Sequence, residues 1–297
     1  MKKIVIITGL TGSGKSRLAI DIAKRFNGEI VSADSVQIYK GLNIGSAKET
    51  LESMQGIKHH LIDIKEPTET YNVGEFVHDC LDAVKQIEAQ GKLPIIVGGT
   101  AMYIKALLNG YTLGDTTSHP EFRQKYQLIA ETKGNLAVWE ELNKLNPEKA
   151  KTVHHNNLKR VIRYLEIEAY GSFETKTELP LKNYEVLSVG IVADRNLIYQ
   201  KINERVDEMI DAGLEDEIKH LVNSGVKEGM QSVLSIGYKE WFAYLNKLQG
   251  REETINLIKQ HTRNYCKRQL TFLKTISNLE MCDYATAQTK IENFLKE

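Results

Sequence analysis

Apolar and polar positions alternate along the first third of the chain in two different periods. Lys3 to Ile7 is a short apolar run rich in β-branched residues and reads as a buried strand. Leu18, Ala19, Ile22, Ala23 and Phe26 then recur at helical spacing, and Glu29 to Ala33 forms a second strand. From Tyr71 to Gln90, the residues Val73, Phe76, Val77, Cys80, Val84 and Ile87 share one helical face, and Gly91 stops it. Leu93 to Val97 is the most apolar later strand, and Leu61 to Ile64 is a weaker candidate. This alternation predicts a mostly parallel sheet. After Gly110 the texture changes to long polar helices, with Pro120 and Pro147 at helix starts. Val186 to Ala193 restores the strand pattern, and from Asn196 the chain reads as helical to its C-terminus. The expected fold class is α/β, with a core of residues 1–114 and 183–297 and an all-helical insertion at 115–182.

The turn after the first strand carries the clearest chemistry. Gly9, Leu10, Thr11, Gly12, Ser13, Gly14, Lys15 and Ser16 match the phosphate-cradling pattern G-x-x-x-x-G-K-[ST], between a strand and a helix as that pattern requires. The glycines let successive N–H groups face one anion, and the following helix adds positive potential. Lys15 supplies a mobile charge, and the Ser16 hydroxyl can ligate magnesium. The core is therefore expected to be a phosphate-loop parallel sheet. A kinase would add an acid at the end of a second strand. Here Leu93 to Val97 runs instead into Gly98-Gly99-Thr100, while Asp63 and Asp194 do not stand apart from ordinary turn residues. Asp34 does stand apart, at the carboxyl edge of the second strand where open α/β sheets bind ligands. The alternative for Asp34 is a turn cap.

Composition narrows the partners. Lys plus Arg and Asp plus Glu are both 39, so any nucleic-acid site must be a local patch. Cys80, Cys266 and Cys282 form no metal spacing or disulfide framework, as expected of a reducing cytoplasm. The basic start runs directly into the strand that the phosphate loop requires, which argues against a cleaved leader. No apolar run approaches a membrane span. Two helices carry charges in unexpected places. In the helix from about Leu197 to Ala212, Arg205 falls inside the stripe of Ile198, Ile202, Val206 and Met209, so it snorkels, pairs with a buried carboxylate, or faces an anion-binding cleft. In the helix from about Thr254 to Lys274, the residues Lys259, Arg263, Lys267 and Lys274 cluster in one sector, readable as a solvated face or as a phosphate-contact surface.

The run from Asp34 to Lys48, with Asp34-Ser35-Val36-Gln37 at its head, resembles the signature of bacterial tRNA dimethylallyltransferases. The likeness continues through His59 to Asp63, Val97 to Tyr103, Ser235 to Glu240, Thr262-Arg263 and Lys267 to Leu273, in the family's order. The resemblance implies transfer of a dimethylallyl group from dimethylallyl diphosphate to N6 of the adenosine 3′ of the anticodon, with Mg2+ and release of diphosphate. By resemblance, Asp34 is the general base, Thr100 and Arg205 act on the donor side, and the phosphate loop holds diphosphate. Also by resemblance, Asp34, Ser35, Val36 and Gln37 grip the extruded adenine, a step that chemistry on an exocyclic amine demands. Arg123, Lys159, Arg160 and Arg163 fall in the insertion, where the family wraps the anticodon stem-loop; Lys259, Arg263 and Lys267 are further tRNA candidates. A cytoplasmic monomer without membrane contact is expected. His154-His155-Asn156-Asn157 departs from the family's His-Pro-Asn-Asp, and Leu10 and Gly12 stand where Pro and Ala are common. Two other classes remain open on the residues alone: an ATP-dependent small-molecule kinase, and an RNA-binding protein without chemistry.

Overall fold

The computed structural model describes residues 2–110, 119–171 and 179–297. β1 (Lys2–Gly9) leads through the phosphate loop into α1 (Lys15–Arg25), followed by β2 (Gly28–Ser32) and the two-residue β3 (His59–His60). Next come α2 (Val73–Ala89), β4 (Leu93–Val97) and α3 (Ala101–Asn109). The inserted helices are α4 (Pro120–Lys133), α5 (Asn135–Leu145), α6 (Pro147–Lys151) and α7 (Leu158–Tyr170). Then follow β5 (Tyr184–Ile191), α8 (Arg195–Asp211), α9 (Leu214–Asn223), α10 (Trp241–Leu245) and α11 (Arg251–Leu273). The last elements are β6 (Glu280–Cys282) and α12 (Tyr284–Lys296).

Two compact units result: Met1–Gly110 with Glu178–Glu297, and Tyr111–Thr177. The expected start of the insertion at residue 115 lies outside the described residues. Leu181, which the sequence division assigned to the insertion, is buried in the core of the first unit.

In the first unit the described strands form one parallel sheet in the order β3-β2-β4-β1-β5-β6. β1 lies between β4 and β5, and Ile4, Val5, Ile6 and Ile7 are fully buried. The strand period divides them. Ile4 and Ile6 pack with α2, α3, α9 and α11 residues such as Phe76, Ile104, Ile218 and Ile258. Val5 and Ile7 pack with Leu18, Ile22, Ala287 and Ile291 of α1 and α12. Covering both faces is why the strands read as continuous apolar runs. α2 starts where Asn72 and Glu75 form a capping box.

The second unit has its own core of Tyr126, Val138, Leu142, Val161, Ile162 and Leu165. Pro120 and Pro147 stand in the first turns of α4 and α6, where proline's missing N–H costs nothing.

Two sequence expectations fail. Leu61 to Ile64 is not a strand: Leu61 and Asp63 take φ of 61° and 55°, and the strand lies one step earlier, pairing His59 and His60 with Ile30 and Val31. The chain after Asn196 is not wholly helical either, since β6 adds to β5 at the sheet edge. Three residues at an edge leave too short a pattern to read.

Candidate active site

At the carboxyl edge of the sheet, β1 turns into α1 under tight backbone constraint. Gly9 has φ of 147°, and a Cβ there would lie 2.4 Å from the Ile191 carbonyl oxygen of β5. Gly12 and Gly14 take φ of 79° and 87°, the left-handed region that glycine occupies without cost. The loop is tied down from α11: Gln269 accepts from the Thr11 N–H at 3.2 Å and donates to the Gly99 carbonyl at 2.7 Å. One buried amide thus joins the phosphate loop to the turn after β4. That turn lies against β2, because a Cβ on Gly98 would be 2.1 Å from the Ala33 oxygen. Ser13 Oγ is buried with no hydrogen-bond partner among the described residues.

These contacts bring Asp34 beside the phosphate loop. Its Oδ1 accepts from the N–H groups of Val36 at 2.9 Å and Gln37 at 3.3 Å. The turn-cap reading therefore holds for one oxygen, while the residue also lines a cleft of about 440 Å³. Thr100 Oγ1 accepts from the Ser35 N–H at 3.0 Å and donates to Ser35 Oγ at 3.3 Å, holding the same turn from the other side. The polar part of its lining includes Thr11, Lys15, Ser16, Thr100 and Arg205. Ile202, Val206, Met209, Leu234, Ile236 and Ile258 supply an apolar wall. A smaller second cavity, of about 410 Å³, lies on the outer side of the loop and shares Lys15, Ser16, Glu49 and Arg205 with the first.

The electrostatics of this part of the cleft favour an anion. Burial, reinforced by Arg205, pulls the Lys15 ammonium down to about 8, against the opposing pull of Asp34 and Glu49. Burial also lowers the Arg205 guanidinium. Asp34, Glu49 and Glu208 oppose that lowering through space, while no hydrogen bond or salt bridge engages Arg205 among the described residues. An arginine held in a half-buried stripe without a partner is costly unless a ligand supplies the charge. Asp63 and Asp194 have other work. Asp63 pairs with Lys48 at 2.5 Å, and Asp194 caps α8 through the N–H groups of Asn196 and Leu197.

The structure thus gathers Thr11, Lys15, Ser16, Asp34, Ser35, Val36, Gln37, Thr100 and Arg205 around one cleft. The basic sector of α11 is less uniform than its wheel. Lys259 is paired with Asp207 of α8 at 2.6 Å, and Arg263 donates to Asn203 of α8 at 2.6 Å, whereas Lys267 is exposed. In the second unit, Arg123 and Arg163 both bind the fully buried Glu166, and Arg160 donates to Tyr164. Lys159 is exposed, and no metal-binding group of three or more His, Cys, Asp or Glu occurs among the described residues. Sequence reasoning missed Glu49, Lys239, Tyr265, Arg268 and Gln269, which also line the cleft. Tyr265 lies at helical spacing from Ile258, beside Cys266, and nothing in a helical period tells a cleft-facing side from a core-facing one.

A phosphate loop, a carboxylate and apolar side chains lining one cleft define a phosphate-loop protein. Comparison with known proteins gives the family. The model for IPP transferase matches residues 37–276. The chain is 43% identical to the tRNA dimethylallyltransferase of Caldanaerobacter subterraneus over 99% of its length and 96% of the relative's. It is also 43% identical to the tRNA dimethylallyltransferase of Enterococcus faecalis, covering 92% of this chain and 89% of that one. Among solved structures it is similar to a tRNA isopentenylpyrophosphate transferase from Bacillus halodurans, with a TM-score of 0.74, 37% identity, and coverage of 100% of this chain and 96% of that one. It is also similar to a eukaryotic dimethylallyltransferase described as acting on tRNA, with a TM-score of 0.76, 28% identity, and coverage of 100% and 80%. The chain belongs to the IPP transferase family, and it is a transferase.

Proposed function

We propose that this chain transfers a dimethylallyl group from dimethylallyl diphosphate to tRNA, at N6 of the adenosine 3′ of the anticodon. The observation that carries this reading is the cleft itself. Its lining presents Lys15 and Arg205 together with the apolar side chains of Ile202, Val206, Met209, Leu234, Ile236 and Ile258. A five-carbon chain fits the wall and a diphosphate fits the cations.

In this reading the N6 nitrogen attacks C1 of the dimethylallyl group. The C1–O bond breaks, its electron pair leaves with diphosphate, and the N6 proton passes to Asp34. Oδ1 of Asp34 is engaged by the turn, which leaves Oδ2 as the basic atom. A carboxylate suffices because the amine becomes acidic as the new bond forms. Lys15, Arg205 and the loop N–H groups stabilise the leaving charge. Thr100 fixes the turn that carries Asp34.

The Ser16 hydroxyl lines the same cleft, a hard oxygen that fits Mg2+ held by few protein groups and donor phosphates. When bound, that ion would offset charge on the diphosphate. For the RNA, Ser35, Val36 and Gln37 line the cleft, and the exposed Lys159, Arg160 and Lys267 are suited to phosphate contacts. Labelled dimethylallyl diphosphate incubated with unmodified tRNA tests the reading: label is expected in the RNA. Label transferred only from ATP, and to a small molecule, would replace it with a kinase.

A further inference from the structure

One wall of the cleft is a loop rather than a helix or strand. Gly45, Ser46, Ala47 and Glu49 line it, yet residues 43–49 belong to no regular element. Four consecutive backbone N–H groups of this loop point at two side chains. Glu217, in the first turn of α9, accepts from Asn43 at 2.9 Å, Ile44 at 2.8 Å and Gly45 at 3.2 Å. Tyr238 accepts from the Ser46 N–H at 3.1 Å and donates to Glu217 at 2.8 Å. The loop lies so close to the phenol that a Cβ on Gly45 would be 2.6 Å from the ring. A carboxylate on three amides is a strong, charge-assisted arrangement, of the kind that nests of N–H groups offer to free anions. From its other side the loop is joined to the Asp34 turn, because Gln37 donates to the Ala47 carbonyl at 3.3 Å.

We propose that Glu217 and Tyr238 are positioning residues that hold the 43–49 loop as the acceptor-side wall of the cleft and, through Gln37, set the Asp34 turn against the incoming adenine. The proposal rests on the transfer reading above. The donor end does not depend on this loop's amides, since its cations come from the phosphate loop and α8. The two substrates are therefore affected unequally when the clamp is loosened.

The test uses the full chain. Glu217→Gln leaves one carbonyl oxygen and turns an NH2 group toward backbone donors. Amide hydrogen exchange at residues 43–46 is expected to accelerate about tenfold or more, and the KM for tRNA to rise about tenfold. The dissociation constant for dimethylallyl diphosphate is expected to stay within about twofold. Tyr238→Phe is milder, with about a threefold rise in KM for tRNA, and carries the same test where Glu217→Gln does not fold. The double variant is expected to be little worse than Glu217→Gln alone, because both groups act on one loop. Faster exchange with unaltered tRNA kinetics would overturn the proposal, as would an equal loss for both substrates with a lowered Tm. Wild-type protein that transfers nothing to RNA would overturn the transfer reading instead. That failure is separable, because exchange rates need no substrate.

Discussion

Partly buried arginines in two places of this molecule mean opposite things. In the inserted unit, Arg123 and Arg163 close on Glu166, whose carboxylate also accepts from the His119 N–H at 3.0 Å. Every strong acceptor site of a fully buried acid is used there. At the sheet edge, Arg205 lines the cleft with no hydrogen bond or salt bridge among the described residues, offset only through space by Asp34, Glu49 and Glu208. The first arrangement is complete as it stands; the second is completed by a ligand. Counting basic residues puts both groups on one list of phosphate contacts, whereas their partners separate structure from chemistry.

The largest expected effect is at the carboxylate that lines the same cleft as Arg205. Asp34→Asn keeps an oxygen for the Val36 and Gln37 N–H groups, so the turn and the Tm are expected to survive. Single-turnover transfer is expected to fall roughly 10²–10⁴-fold. A wild-type rate would remove Asp34 as the base. Arg205→Gln comes next, with transfer lowered about 10²-fold and no loss of Tm, because an unpaired charge is relieved. A clear loss of Tm in that variant would show that Arg205 has a structural partner after all.

Glu166→Gln reverses the pattern. One amide oxygen cannot satisfy two guanidinium groups and a backbone N–H, so stability is expected to drop by about 2 kcal/mol, a figure kept modest because both arginines are partly exposed. Donor binding is expected to persist wherever the chain is folded. The paired N–H groups hold the Glu166 carboxyl at about 2, outweighing the burial that pushes it up. Its contribution is therefore present above the ordinary carboxylate range and is lost as pH falls from about 4.5 toward 2. Denaturation followed at pH 2, 4 and 6, wild type against Glu166→Gln, reads this directly: the difference shrinks only in acid.

The smallest effect sharpens the cleft side. Lys15 loses its proton at about 8 without ligand, and a bound diphosphate raises that value. Donor affinity is then full below pH 8 and weakens above it, by up to about tenfold per pH unit, with proton uptake on binding. Calorimetry at pH 8.5 in two buffers of different ionisation enthalpy checks the uptake. Affinity that is flat from pH 7 to 9 would mean the Lys15 ammonium does not meet the donor.

Much of this was legible without coordinates. The glycine and lysine pattern of the loop is local, because residues 9–16 must turn between a strand and a helix and only that spacing permits it. Asp34 was visible as a strand-end acid, and Arg205 as a cation inside an apolar stripe. What stayed hidden depends on contacts distant in sequence. Gln269 reaches the phosphate loop across more than two hundred and fifty residues, Glu217 reaches the 43–46 amides from another helix, and Lys259 meets Asp207 only because α11 lies on α8.

Sequence by itself determined the chemistry available: a phosphate cradle, a carboxylate at the edge of the sheet, a cation in the wrong stripe and a family signature running through nearly the whole chain. Tertiary structure alone decided which charges are spent and which are open. It neutralised Arg123 and Arg163 on Glu166 and left Arg205 facing the cleft. The physical reason is that a side chain's charge is written in its own residue, but its partner is brought within hydrogen-bonding distance only by the packing of elements far apart in the chain.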